Sequence, residues 1–261
     1  MLIAADIGNS NIVFGVFRKK ELFFISKIVT DKAKLPDEYS IILKNILDMN
    51  KISADEIKYG IVSSVVPKLT DTISAAINKL LGINSLILGP GLKTGLNIMI
   101  NNPSELGGDL VACAIGVAKE FEGPVIIIDM GTATTFSVIE ENAKYSGTII
   151  YPGMKLSLDA LCANAAQLPE ISVDIPKHLI GTNSEEAMRA GIIYGNAAMI
   201  DGIIDDIAEH FKKDFTVVAT GGLASYVLPY CKHKITYKPD LLLTGLYHIF
   251  CKNRPKSCQS E

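Results

Sequence analysis

Two Asp-x-Gly turns constrain this chain more than any other feature. Asp6-Ile7-Gly8-Asn9-Ser10 follows the apolar run Leu2-Ile3-Ala4-Ala5, and Asp129-Met130-Gly131-Thr132 follows Val125-Ile126-Ile127-Ile128, 123 positions later. A glycine after a buried strand lets backbone N–H groups approach a phosphate closely, and small polar neighbours add further donors. A carboxylate at the strand end can hold a cation or its water, which offsets phosphate charge during phosphoryl transfer. One copy alone reads more readily as an ordinary hairpin turn, because Asp, Gly and Asn are favoured turn residues. Two copies, each after a near-continuous apolar strand, favour phosphate chemistry.

The flanking sequence repeats as well. Residues 2–30 give three β-rich runs separated by Gly8-Asn9-Ser10-Asn11 and Arg18-Lys19-Lys20-Glu21. Helical spacing over Asp37–Ile52, a buried strand ending near Pro67, a helix stopped by Gly82 and a short strand at Ser85–Gly89 follow. After a helix opening at Gly107-Gly108-Asp109, the strand–turn–strand pattern restarts at Gly123. Helical segments then run over about 156–166 and 184–210, with a final helix around Leu241–Phe250. Repetition across half the chain implies two similar lobes, since solenoid repeats are far shorter. We expect an α/β protein of two lobes, residues 1–118 and 119–261, each a mixed sheet flanked by helices.

Composition narrows the function. With 261 residues, 48% of them hydrophobic, the chain needs no disulfide or structural metal to hold its core. A formal charge of -3 argues against a nucleic-acid partner, which calls for a clustered basic face. The five cysteines (Cys113, Cys162, Cys231, Cys251, Cys258) form no C-x-x-C pair, and His178, His210, His233 and His248 lack metal-ligand spacing. Cys113 and Cys162 read as small apolar helix residues. The start MLIAADIGN lacks the basic region and cleavage site of a signal peptide, and no uncharged apolar run reaches about 18 residues. We expect a cytoplasmic protein without a membrane partner, ending in a polar, frayed tail.

Three further motifs carry chemistry. Thr132, beside Gly131, is a candidate phosphate contact, whereas Thr135 reads as an ordinary strand residue. Ala219-Thr220-Gly221-Gly222-Leu223-Ala224 follows Val217-Val218 and suits close approach of a flat adenosine moiety, although a bare strand-to-helix turn has the same pattern. In Asn101–Asp109 the last residue suits either a helix N-cap, contributing about 1 kcal/mol, or a general base beside two residues without side chains.

The segments DIGNSNIVFG, SSVVP, NNPSELGGD, IIDMGTATTF, YPGMKLSLDALCANAAQLPEI, IGTNSEEAMRAGIIYG and ATGGLA run collinearly over nearly the whole chain. Together they resemble type III pantothenate kinase, of the actin-like acetate kinase, sugar kinase and Hsp70 superfamily. The resemblance implies a duplicated ribonuclease-H-like fold with mixed five-stranded sheets, and a homodimer with its active site near the dimer interface. It also implies ATP, Mg²⁺ and a monovalent cation, K⁺ or NH₄⁺. The implied reaction moves the γ-phosphate to the primary hydroxyl of pantothenate, yielding 4'-phosphopantothenate and opening coenzyme A synthesis.

Residue by residue, the resemblance makes Asp6, Ile7, Gly8, Asn9, Ser10, Asn11, Ile12 and Val13 the ATP phosphate loop and Thr132 a second ATP contact. Asp129 becomes the monovalent-cation ligand and Asp109 the catalytic base. Ile100, Gly107, Gly108, Asp109, Leu110 and Ser184 fall at the pantothenate end. Ser10 and Ser184 stand where the family usually has threonine, and both keep a hydroxyl. Leu110 replaces a usual arginine, Ile100 a usual tyrosine and Lys27 a usual arginine. Losing one charge-assisted hydrogen bond, about 1.5–3 kcal/mol, weakens acceptor binding roughly ten- to a hundredfold. An altered acceptor wall leaves two other readings open: a kinase for a different small alcohol, and a non-catalytic nucleotide or metabolite sensor.

Overall fold

The computed structural model describes residues 1–254; Cys258 and the rest of the tail expected to fray, 255–261, lie outside the described residues. In chain order the elements are β1 (Leu2–Ile7), β2 (Asn11–Arg18), β3 (Glu21–Val29), α1 (Pro36–Met49), β4 (Tyr59–Ser64), α2 (Pro67–Leu81), β5 (Leu86–Ile87), β6 (Asn97–Ile98) and α3 (Gly108–Glu120). They continue with β7 (Val125–Met130), β8 (Ala133–Glu140), β9 (Lys144–Pro152), α4 (Met154–Asn164), α5 (Ser184–Phe211), β10 (Thr216–Thr220), α6 (Ala224–Val227), β11 (Ile235–Tyr237) and α7 (Leu241–Asn253).

The chain divides into two compact units. The first holds Met1–Asn97, Asn101–Lys119 and the segment from Asp240 onward, and the second holds Ile98–Ile100 and Glu120–Pro239. A single cut after residue 118 therefore omits the return of α7 to the first unit. The reason is packing between distant segments. Gly116 of α3 lies against Leu241, and Gly245 of α7 lies against the backbone of Ala112, so close that neither glycine has room for a side chain.

In the first unit the strand order is β3-β2-β1-β4-β5, with β1 antiparallel to β2 and parallel to β4. β1 is buried on both faces, which explains its unbroken apolar run. Ile3, Ala5 and Ile7 face a core with Tyr39, Leu43 and Leu47 of α1 and Leu69, Ile73 and Ile77 of α2. Leu2 and Ala4 face a second core with Val111 and Ile115 of α3 and Leu243, Leu246 and Ile249 of α7. Each fully buried Leu or Ile stabilises by roughly 1.5–3 kcal/mol. Strand alternation places Asp6 on the Leu2–Ala4 face. Helix starts follow the sequence: Pro36 and Pro67 occupy first-turn positions, and α2 stops at Gly82 in the left-handed region.

The second unit repeats this plan. Its sheet runs β11-β10-β7-β8-β9-β6, so five strands keep the first unit's order and β6 adds a sixth at the β9 edge. The expected five strands hold in the first sheet and are exceeded in the second. Two residues are too few to show a strand period; the edge is made by Met99, whose N–H donates to the Tyr145 carbonyl at 2.9 Å. Ile126, Ile128 and Met130 face a core with Ile193, Ile200 and Ile204 of α5. Asp129 therefore lies on the opposite face.

Candidate active site

Two clusters of polar residues form, one in each unit, at the ends of the parallel strands where open α/β sheets bind ligands. In the first, the turn after β1 is tightly closed. Gly8 N–H donates to the Asn11 carbonyl at 2.9 Å, the Thr30 hydroxyl donates to the Gly8 carbonyl at 2.7 Å, and Thr30 N–H donates to the Ser10 carbonyl at 3.0 Å. Asn9 and Ser10 remain exposed at its tip, while Ile7 and Ile12 are buried and anchor its base. Of the expected phosphate loop, Asn9, Ser10 and Asn11 carry side-chain donors, while the Gly8 N–H closes the turn. Ile7, Ile12 and Val13 serve as its strand stems.

Asp6 is half-buried at the penultimate position of β1. Its register partners are Val13 on β2 and Ser63 on β4. The first turn of α3 approaches the same strand ends: a Cβ added to Gly108 would lie 3.3 Å from both Ser63 Oγ and Leu88 Cδ2. Gly107 has no room for a Cβ because Asp109 Oδ1 occupies that place. Asp109 is the second residue of α3 and its Oδ1 accepts the Leu110 N–H at 2.9 Å, so it sits inside the helix rather than capping it. Oδ2 is left for another partner. Leu110 is half-buried beside it.

The second cluster surrounds the turn after β7. Gly131 N–H donates to the Ala133 carbonyl at 3.0 Å, and Gly153 N–H donates to the Thr132 carbonyl at 3.1 Å. Any side chain on Gly153 would strike the carbonyl oxygens of Gly131 and Thr132. Gly221, at φ +93°, lies against the Met130 backbone, so the glycine pair after β10 first serves to let that turn seat on β7. Thr132 is exposed and Asp129 half-buried. Asp129 is flanked in register by Thr135 on β8 and Thr220 on β10. Thr135 Oγ1 is buried without a hydrogen-bond partner.

Ser184 is exposed at the first position of α5, where Asn183 caps the helix by accepting the Glu186 N–H at 2.9 Å. Ile100 is half-buried in a bend after β6, in the second unit, whereas Gly107, Gly108, Asp109 and Leu110 belong to the first. The sequence singles out neither Thr30, Ser63 nor Gly153; Thr135 reads there as an ordinary strand residue, and Thr220 appears only within the glycine motif after β10. Their places depend on cross-strand register and on contacts between distant segments. No sequence offset marks them: Ser63 lies 57 positions after Asp6 and Thr220 lies 91 after Asp129, and the correspondence appears only as register between parallel strands.

The donor sets fit the implied ions. No group of three or more His, Cys, Asp or Glu side chains is placed to hold a metal among the described residues. Mg²⁺ keeps several waters and binds through one or two carboxylates and substrate phosphates, and Asp6 places one carboxylate at the end of β1 beside the Gly8 turn. Asp129, with the idle Thr135 hydroxyl beside it, offers the hard oxygen donors a monovalent cation takes.

Strand order, repeated strand-end carboxylates and glycine turns define a two-lobed fold of the actin-like class. A candidate 2-dehydro-3-deoxygalactonokinase from Sinorhizobium meliloti has the same fold, with a TM-score of 0.62 at 12% identity over 98% of this chain and 97% of that one. So does a candidate Baf-family transcriptional activator from Campylobacter jejuni, with a TM-score of 0.59 at 18% identity over 96% and 98%. The family model for type III pantothenate kinase matches residues 2–206. A type III pantothenate kinase of Bacillus cytotoxicus is 39% identical over 253 residues, covering 97% of both chains. The chain belongs to the type III pantothenate kinase family.

Proposed function

We propose that this chain transfers the γ-phosphate of ATP to the primary hydroxyl of pantothenate, forming 4'-phosphopantothenate in the first step of coenzyme A biosynthesis. Beyond family membership, one observation carries the reading: a carboxylate lies over a residue that has no side chain, in the first turn of a helix beside a phosphate-type turn. Asp109 Oδ2 takes the proton of the acceptor hydroxyl as its oxygen attacks the γ-phosphorus, and ADP departs. Leu110 N–H holds Oδ1, so the carboxylate keeps one orientation while the other oxygen works. Gly107 and Gly108 leave space for the acceptor carbon, and Ser184 offers a hydroxyl to the rest of the acceptor. The turn of Gly8, Asn9, Ser10 and Asn11 binds the nucleotide phosphates, Asp6 carries the cation that accompanies them, and Thr132 adds a further phosphate contact. Asp129 holds K⁺ or NH₄⁺. Bound Mg²⁺ supplies charge neutralisation on the phosphates.

A homodimer is supported by exposed apolar residues of the second unit, Ile149, Ile150 and Tyr151 on β9 with Leu156 and Leu161 on α4. A cytoplasmic setting accords with the substrate. No described helix is long and apolar enough to cross a membrane.

Asp109→Asn tests the base directly. It keeps size and the acceptor for Leu110 N–H but removes the basic oxygen, so kcat for pantothenate falls about 10²–10⁴-fold with an unchanged unfolding midpoint. Wild-type turnover in this variant would refute the role. The apolar residues Leu110 and Ile100 favour one second reading, a different small hydroxylated acceptor, which loses its support if pantothenate proves the best alcohol in a screen of ATP consumption.

A further inference from the structure

We propose that Ser63 is a positioning residue of the phosphoryl-transfer site, holding the Asp6 carboxylate through a hydrogen bond made when Mg·ATP is bound. The inference rests on the assignment of Asp6 to the nucleotide-associated cation. It starts from an anomaly: Ser63 is completely buried, and its hydroxyl has no hydrogen-bond partner. About nine in ten buried polar groups are satisfied, so a wholly enclosed idle hydroxyl calls for a reason.

Position supplies the reason. Ser63 is the in-register neighbour of Asp6 on the parallel strand β4, and both side chains point to the same face of the sheet. Adjacent strands lie about 4.8 Å apart, which brings a serine hydroxyl within one rotamer change of its neighbour's carboxylate. The first turn of α3 approaches the same hydroxyl: a Cβ added to Gly108 would lie 3.3 Å from Ser63 Oγ. A side chain at residue 108 would crowd the hydroxyl.

The second unit makes the same choice independently. Asp129, at the equivalent penultimate place on β7, has Thr220 as its in-register neighbour on the parallel strand β10. In both lobes a buried hydroxyl residue stands beside the strand-end carboxylate, and at Ser63 an apolar residue would pack without leaving a polar atom idle. A packing role alone does not call for a hydroxyl at either place. A donor for a carboxylate that changes orientation on loading does.

The test compares Ser63→Ala, Ser63→Cys and Ser63→Thr in the full-length protein. Cysteine fills the serine volume but is a weak donor, while threonine keeps the hydroxyl. Mg·ATP binding is measured by calorimetry, without any acceptor, beside the unfolding midpoint of the ligand-free protein. Alanine and cysteine should both weaken Mg·ATP binding and raise the Mg²⁺ concentration for half-maximal binding about tenfold or more, the loss of one hydrogen bond to a charged group. Threonine should restore most of it, and alanine should leave the ligand-free midpoint unchanged or higher. In turnover, kcat and the Mg²⁺ requirement should change while KM for pantothenate does not.

Wild-type Mg·ATP binding in Ser63→Ala, or in Ser63→Cys, would overturn the proposal, as would a lowered ligand-free midpoint with unchanged binding. Because binding is read without pantothenate, failure of the unaltered protein to phosphorylate pantothenate would count against the proposed reaction and not against Ser63.

Discussion

Asp109 reaches back over Gly107, so the glycine is required by the carboxylate rather than by the backbone. Gly107→Ala puts a methyl group where Oδ1 now lies. The end of a side chain moves easily, so stability should change by less than about 0.5 kcal/mol, as for substitutions away from a packed core. Catalysis should suffer more, because a base displaced by about 1 Å loses on the order of a hundredfold in rate. Comparing kcat with the thermal midpoint separates the two, and wild-type kcat would show that Oδ1's present place is unimportant. Residues like Asp109 and Gly107 are legible in sequence because their chemistry lies within three positions. Ser63 and Thr30 are not. Ser63 matters through register with Asp6, and Thr30 through a turn 22 positions before it.

At the scale of elements, the hairpin of β8 and β9 carries the turn after β7 and is tied down at its far end by charge. Glu140 accepts from Lys144 Nζ at 2.7 Å, Ser146 Oγ at 2.6 Å and Lys213 Nζ at 3.0 Å. The Lys144 hydrogen bond first, then those of Ser146 and Lys213, hold its carboxyl at about 2, below the ordinary 4.5. A depressed carboxylate stabilises the fold above its unfolded value, and that stability is lost as pH falls from about 4.5 through about 2. Glu140→Gln should therefore lower stability near neutrality by about 1.5–3 kcal/mol and flatten the acid decline across that window. Thermal midpoints measured from neutrality to about pH 2 check this, and an unchanged acid decline would show that other carboxylates carry it. The helices α1 and α2 follow directly from apolar period with a leading Pro, and α2 from a closing Gly as well, whereas α5 is bounded by an Asn183 cap and a left-handed Lys212. The two-residue strands β5 and β6 and the three-residue β11 lack enough length to display a period, and their neighbours define them.

Across the whole molecule, duplication extends beyond the sequence motif. β1 and β7 share one burial pattern, and β2 and β8 share another over their first seven residues, with a register irregularity late in β2 against β3 and late in β8 against β9. Both first strands place an aspartate penultimately, and both turns are glycine-led. What differs is what each repeat has added. The first unit gains α7 from the far end of the chain, and with it a second buried face against β1 and β4. The second gains β6 and the glycine turns at Gly153, which seats on the loop bearing Thr132, and at Gly221, which seats on Met130 at the end of β7. A repeat is visible in sequence because each copy carries its own apolar strand and Asp-x-Gly turn. The exchange of α7 and β6 is invisible there, since it depends on which distant surfaces meet.

ADP release measured against pantothenate at millimolar concentration, with Mg·ATP present and K⁺ either added or omitted, tests the central assignment most directly. Pantothenate-dependent ADP matched mole for mole by a phosphorylated product, and faster with K⁺, is the expected result. No pantothenate-dependent ADP from a protein that binds Mg·ATP would contradict it.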